Sequence, residues 1–139
     1  MTISLPDTDA TPVVRTDYGD DAAWASVKEA VATPQGDFAA NVAFVDDPAL
    51  DGADPAAIAR AARAQGIHAV VLIADHETFA SPDRVLLCVD ALEDTVRSFR
   101  FVPARAWSVE NNLSLANMDF DDFLGSLGPD GVFRGFPGE

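Results

Sequence analysis

Three apolar runs, each ending in aspartate, dominate the hydrophobic pattern: Val13-Val14-Arg15-Thr16-Asp17, Val42-Ala43-Phe44-Val45-Asp46-Asp47 and Val70-Val71-Leu72-Ile73-Ala74-Asp75. Their length and β-branched content predict buried strands at about 12–16, 39–45 and 67–74. Helical periodicity separates them. Asp20 stands where a helix N-cap belongs, and Trp24, Val27 and Val31 follow on one face. Thr33-Pro34-Gln35-Gly36 stops that helix. Asp54-Pro55 starts the next one, because aspartate accepts the orphan N–H groups and proline suits the first turn. Gly66 is placed to close it.

After Asp75 the period changes. The stretch from His76 to Arg84 contains Ser81-Pro82 and is short for a helical crossover. Strands are predicted at 85–91 and 96–102, joined by a hairpin break at Glu93-Asp94-Thr95. The second of these alternates Arg97/Phe99/Phe101 with Ser98/Arg100/Val102, the mark of a half-exposed antiparallel strand near a sheet edge. Helical segments follow, from Ala104 to Leu113 with Trp107 and Leu113 directed inward, and then from Asn117, read as a cap, through Phe120, Phe123 and Leu124. An aromatic tail, Val132 to Phe136, ends the pattern. The fold class is α/β, a mixed layered sheet in the order β-α-β-α-β, then a β-hairpin and C-terminal helices. Residues 1–11 read as a polar lead-in, 12–136 as one domain and 137–139 as a tail. In such a sheet the carboxyl ends of the parallel strands share one edge, where ligands bind.

Charge narrows the partners. The formal net charge of the 139 residues is −14, with one lysine, Lys28, and eight arginines. Direct nucleic-acid binding is set aside, because that affinity comes from basic contacts that release counterions. Anionic membranes are set aside for the same reason, and no apolar run reaches transmembrane length. A basic protein partner or a small molecule remains. The single cysteine, Cys88, lies inside Val85-Leu86-Leu87-Cys88-Val89 and reads as a buried structural thiol in a reduced, cytoplasmic setting. No cofactor fingerprint or zinc spacing is present in the sequence.

Three motifs carry a resemblance. Val14-Arg15-Thr16-Asp17-Tyr18 followed by Asp21-Ala22-Ala23-Trp24, the phrase Phe44-Val45-Asp46-Asp47-Pro48, and Trp107-Ser108-Val109-Glu110-Asn111-Asn112-Leu113-Ser114-Leu115-Ala116-Asn117-Met118-Asp119-Phe120 together resemble a family of small actinobacterial proteins known only as a domain of unknown function. The resemblance runs to about Phe136. It implies a bacterial cytoplasmic setting and brings no activity, cofactor or catalytic residue.

The candidate chemistry therefore rests on the residues alone. The expected binding edge holds Asp17, Asp46, Asp47 and Asp75, with His76 flanked by Asp75 and Glu77. Such carboxylates suit a divalent cation, but aspartate serves equally in caps and turns, and that structural role is the one expected here. No metal is assigned. Glu110, Asn111 and Asn112 form a second polar group, either part of the same pocket or a brace between two helices, with bracing expected. The predicted function is a small acidic cytoplasmic binding or regulatory module. A small enzyme or ligand-binding protein using the carboxyl edge is the alternative, and a DNA-mimic or immunity-type inhibitor is a further one. Oligomeric state and catalysis stay open.

Overall fold

A computed structural model describes residues 3–92 and 97–137. The elements are β1 (Thr11–Arg15), α1 (Asp21–Ala32), β2 (Val42–Val45), α2 (Pro55–Gln65), β3 (Val70–Ala74), α3 (His76–Ala80), β4 (Leu86–Asp90), β5 (Ser98–Phe101), α4 (Ala106–Ser114), α5 (Phe120–Leu124) and β6 (Val132–Phe133). A mixed α/β architecture results. Its six strands form one sheet in the order β2-β1-β3-β4-β5-β6. β1 pairs in parallel with both β2 and β3, β4 runs antiparallel to β3 and β5, and β6 is parallel to β5. The anticipated three parallel strands and the hairpin are thus both present. The break at Glu93-Asp94-Thr95, and Val96, lie outside the described residues.

Crossovers of one hand that place β2 and β3 on opposite sides of β1 must put their helices on opposite faces. The two cores follow this rule. On one face Val13, Leu72, Leu86, Cys88, Phe99 and Phe101 pack under α1, α4 and α5; on the other Val14, Val71, Ile73 and Val89 pack under α2. β3 is buried on both faces, as its unbroken apolar run requires. Leu5 is 4% exposed and joins the α2 core, so the lead-in is part of the packed structure and not only a polar approach to it.

Local signals explain most boundaries. Asp20 accepts the Ala23 N–H, Asp54 accepts the Ala56 N–H, and Gly66 ends α2 at φ 74°, a left-handed conformation that favours glycine. β2 and β3 begin at Val42 and Val70, three residues later than expected, the other strand ends shift by a residue or two, and two further features differ. The cap of α5 is Asp119, whose N–H donates to the Asp122 carboxylate, while the Asn117 N–H turns back to the Asn112 carbonyl. The segment after β3 contains a one-turn helix, α3, capped by Asp75. The aromatic tail docks on the sheet: Phe133 is fully buried in β6, which makes β6 and not β5 the outer strand. Trp107 is only half-buried and stacks on Phe38 at 4.5 Å, so of the pair expected to point inward only Leu113 does so fully. Cys88 is fully buried, and burial pushes its thiol well above the usual range.

Candidate functional site

The candidate residues fall on two opposite edges of the sheet. Asp17, Asp46, Asp47, Asp75 and His76 collect where β1, β2 and β3 end and β4 begins, as the three strand-terminal aspartates imply. Glu110, Asn111 and Asn112 do not join them. They lie on α4, from which Glu110 and Asn111 contact the segment that enters β2, at the amino edge. One shared pocket for all eight residues is therefore not formed.

Each acid of the carboxyl edge has a structural partner. Asp17 accepts the Gly19 N–H at 2.8 Å and lies 3.0 Å from Nδ1 of His76; the Gly19 bond, then His76, hold its carboxyl below the usual value. Asp47 accepts the Ala49 N–H and caps a short 3-10 helix at Pro48–Leu50. Asp46 accepts from Trp24 Nε1 at 3.2 Å and lies 3.8 Å from the Arg15 guanidinium. Asp75 accepts from the Thr78 N–H and hydroxyl, and both its oxygens accept from Arg100 at 2.8 Å. Burial raises the Asp75 pKa, but Arg100 and Thr78 outweigh it and the net shift is downward. Among the described residues no group of three or more His, Cys, Asp or Glu is arranged to hold a metal ion.

The two arginines of this edge were not singled out by motif. Arg15 ends β1 with its side chain 4% exposed; it donates to the Asp17 carbonyl and Asp21, and its guanidinium lies 4.2 Å from the Tyr18 ring centroid. Arg100 occupies an outward position of β5 and also meets Glu77 at 2.6 Å. The signal was present: a charged residue inside an apolar strand needs a partner, and acids end the neighbouring strands. The Tyr18 hydroxyl is buried without a hydrogen bond of normal geometry; burial first, and then the Asp46 carboxylate, push its pKa up to about 12.

Concave volume lies at the other edge. A cavity of about 620 Å³ is lined by Asp90, Leu92, Arg97, Leu113, Phe120 and Asp121 among others. A second, of about 400 Å³, is lined by Asp9, His68, Glu110, Asn111, Ser114 and Leu115 among others. The two meet at Ala69, with the end of α4 as the ridge between them. In the first, Arg97 grips buried Asp90 through Nε and Nη2 and reaches Asp121 at 2.6 Å. In the second, Glu110 is 4% exposed; its carboxylate accepts from the Asn41 N–H at 2.6 Å and from the Ser114 hydroxyl at 2.5 Å.

The amides brace α4, though unequally. Asn111 Nδ2 donates to the Ala39 carbonyl at 3.0 Å and to the Trp107 carbonyl at 2.7 Å. Among the described residues the Asn112 side chain reaches the Ser108 hydroxyl alone, at 3.4 Å, and Asn112 contributes mainly its backbone carbonyl, which accepts from Asn117 and Met118. Asn111→Ala is therefore expected to lower stability by about 1–2 kcal/mol, since it strips a partner from the strand entry. Asn112→Ala should stay within about 0.5 kcal/mol, the range of substitutions that remove no key contact. Urea melts of both variants check this, and an unchanged midpoint for Asn111→Ala would overturn the bracing role.

No helix among the described residues is long and apolar enough to cross a membrane. No curated protein and no solved structure matches the chain. A family model described as a domain of unknown function, DUF6924, matches residues 10–136, and the chain belongs to that family.

Proposed function

We propose that the protein is a binding or regulatory module, acting in the cytoplasm, that meets its partner with the amino edge of its sheet. The supporting observation is the placement of exposed apolar side chains. Among the described residues the large exposed hydrophobics are Phe38, Ile67, Leu92 and Leu115, at 54%, 40%, 67% and 68% exposure. Scattered singly, such residues need no explanation. Here three of them converge. Ile67 precedes β3, Leu92 follows antiparallel β4 and Leu115 follows α4, so the topology carries these three toward one edge, where they line the two cavities, while Phe38 stacks on Trp107 at the start of α4. Clustered apolar surface beside concave volume is what interaction sites present.

A small enzyme at the carboxyl edge is the second reading. Its support is the Asp17–His76 pair, in which a carboxylate orients a largely exposed imidazole, the geometry of a general base. A DNA mimic has less support, because the acids of that edge serve in caps and ion pairs and not in phosphate-like rows.

A photoreactive residue placed at Leu115, Leu92 or His76 in producing cells separates the readings. A discrete adduct from positions 115 and 92, with none from 76, is the expected result. Adducts from 76 alone would move the function to the carboxyl edge. Adducts from none of the three would overturn the binding-face reading.

A further inference from the structure

We infer that the partner of this face is a protein segment carrying both basic and leucine-like side chains, with a basic group entering the smaller cavity against Glu110. This rests on the amino edge being the binding face. The face itself is described by its apolar residues; the chemistry of its occupant follows from charge.

Glu110 is the carrying residue. Its carboxylate is buried, yet among the described residues its partners are neutral: a backbone N–H, a hydroxyl and a side-chain amide at 3.4 Å. Buried carboxylates are ordinarily compensated by a cation, as Asp90 is here by Arg97. Glu110 lines the cavity wall, and Asp9 stands exposed at the same cavity. An ammonium or guanidinium entering there gains charge-assisted hydrogen bonds to a carboxylate already fixed in place. An anion would meet two acids and a total charge of −14.

Apolar anchors follow from the cavity rims. Leu115 and Ile67 border the Glu110 cavity, and Leu92 borders its neighbour. A segment that fills one depression with a basic side chain therefore crosses exposed leucines on its way to the other. A purely basic segment leaves those leucines wet, and a purely apolar one leaves Glu110 uncompensated. The two requirements together specify an amphipathic, cationic occupant.

Calorimetric titration of the full chain with three short synthetic peptides tests this: one of lysine and leucine, one of lysine and serine, one of glutamate and leucine. The Lys/Leu peptide is expected to bind at least tenfold more tightly than either other, about 1.4 kcal/mol. Glu110→Gln and Leu115→Ser should each weaken it about tenfold. Asp51→Asn, an exposed acid beside the opposite edge, should change it less than about twofold, as expected for a remote charge screened by salt. Leu115 is exposed, so its variant tests the face even where Glu110→Gln lowers stability. Glu/Leu binding as tight as Lys/Leu, and lost in Leu115→Ser, would overturn the cationic partner while leaving the face intact. Lys/Leu binding that ignores Leu115→Ser, or that Asp51→Asn weakens equally, would overturn both. No binding by Lys/Leu, or full binding by Glu110→Gln, would overturn the inference alone.

Discussion

Replacing Asp75 with alanine is expected to lower folding stability by about 2–3 kcal/mol, the sum of a lost helix cap and a broken, largely buried ion pair. Asp75 closes the capping box of α3 and holds Arg100 with two parallel bonds of 2.8 Å. Both side chains are 20% exposed, which keeps the pair less screened than a surface bridge. Asp75→Asn should cost about 1 kcal/mol less, because an amide still caps. Arg100→Ala should be milder in the Asp75→Ala background than alone, the signature of a coupled pair. The pH dependence has a fixed sign. The folded-state pKa of Asp75 lies below its ordinary value of 3.8, so the pair's contribution is complete above that pH and disappears as pH falls through the lower, folded value. Asp17 is depressed too and adds acid sensitivity of the same sign. Urea midpoints from neutral pH into the acid range should show wild type losing more stability than Asp75→Asn. Parallel curves would overturn the assignment.

Phe123→Ala is expected to have the largest effect of any substitution considered, about 3–5 kcal/mol, as for other fully buried phenylalanines. Phe123 has no exposed surface. It stacks on Phe99 at 5.4 Å, and its ring centroid lies 4.9 Å from both Phe133 and Phe136. Those last two rings hold a strand of only two residues, too short to persist on its backbone bonds alone. Loss of Phe123 should therefore free the chain from residue 132 onward before the rest unfolds. Hydrogen exchange measures this at Val102, whose N–H donates to the Phe133 carbonyl. Protection at Val102 should fall more than at Val71 in the central strand. Equal losses at both would show that the tail is not separately anchored.

The two substitutions also show what was legible in the chain. The parallel core was, because apolar runs, Asp20, Asp54-Pro55 and Gly66 are strong signals that tertiary packing had no reason to override. The carboxyl edge was legible as a place, since three strands end in aspartate. Its chemistry was less so. Asp75-x-x-Thr78 is a cap signature that competes with a metal-ligand reading of the same residue, and the Thr78 and Arg100 contacts are what the structure adds to the cap reading. Asp119 displaced Asn117 as a cap because Asp122 stands three residues on and its carboxylate reaches back to the Asp119 N–H. The proposed amino-edge face was not legible at all. Ile67, Leu92 and Leu115 lie far apart in the chain, and no local pattern marks them as neighbours. Reversal of β4 brings Leu92 beside the entry to β3, and no local pattern reports that a strand is reversed. Glu110 and Asn111 were expected to brace two helices; their bonds run instead from α4 to the segment entering β2, a placement that depends on how α4 crosses the sheet.

Cys88 gives the molecule a built-in covalent reporter. It is the chain's single thiol, lies in β4 between β3 and β5, and has no exposed surface. The reactive species is the thiolate, which burial suppresses, so a thiol reagent gains access only when the sheet opens at its middle. When reclosing is fast relative to labelling, the labelling rate reports the equilibrium population of that opening; at high reagent concentration it approaches the opening rate itself. Both quantities are therefore accessible for the natural sequence, at one defined atom, without introducing any label site.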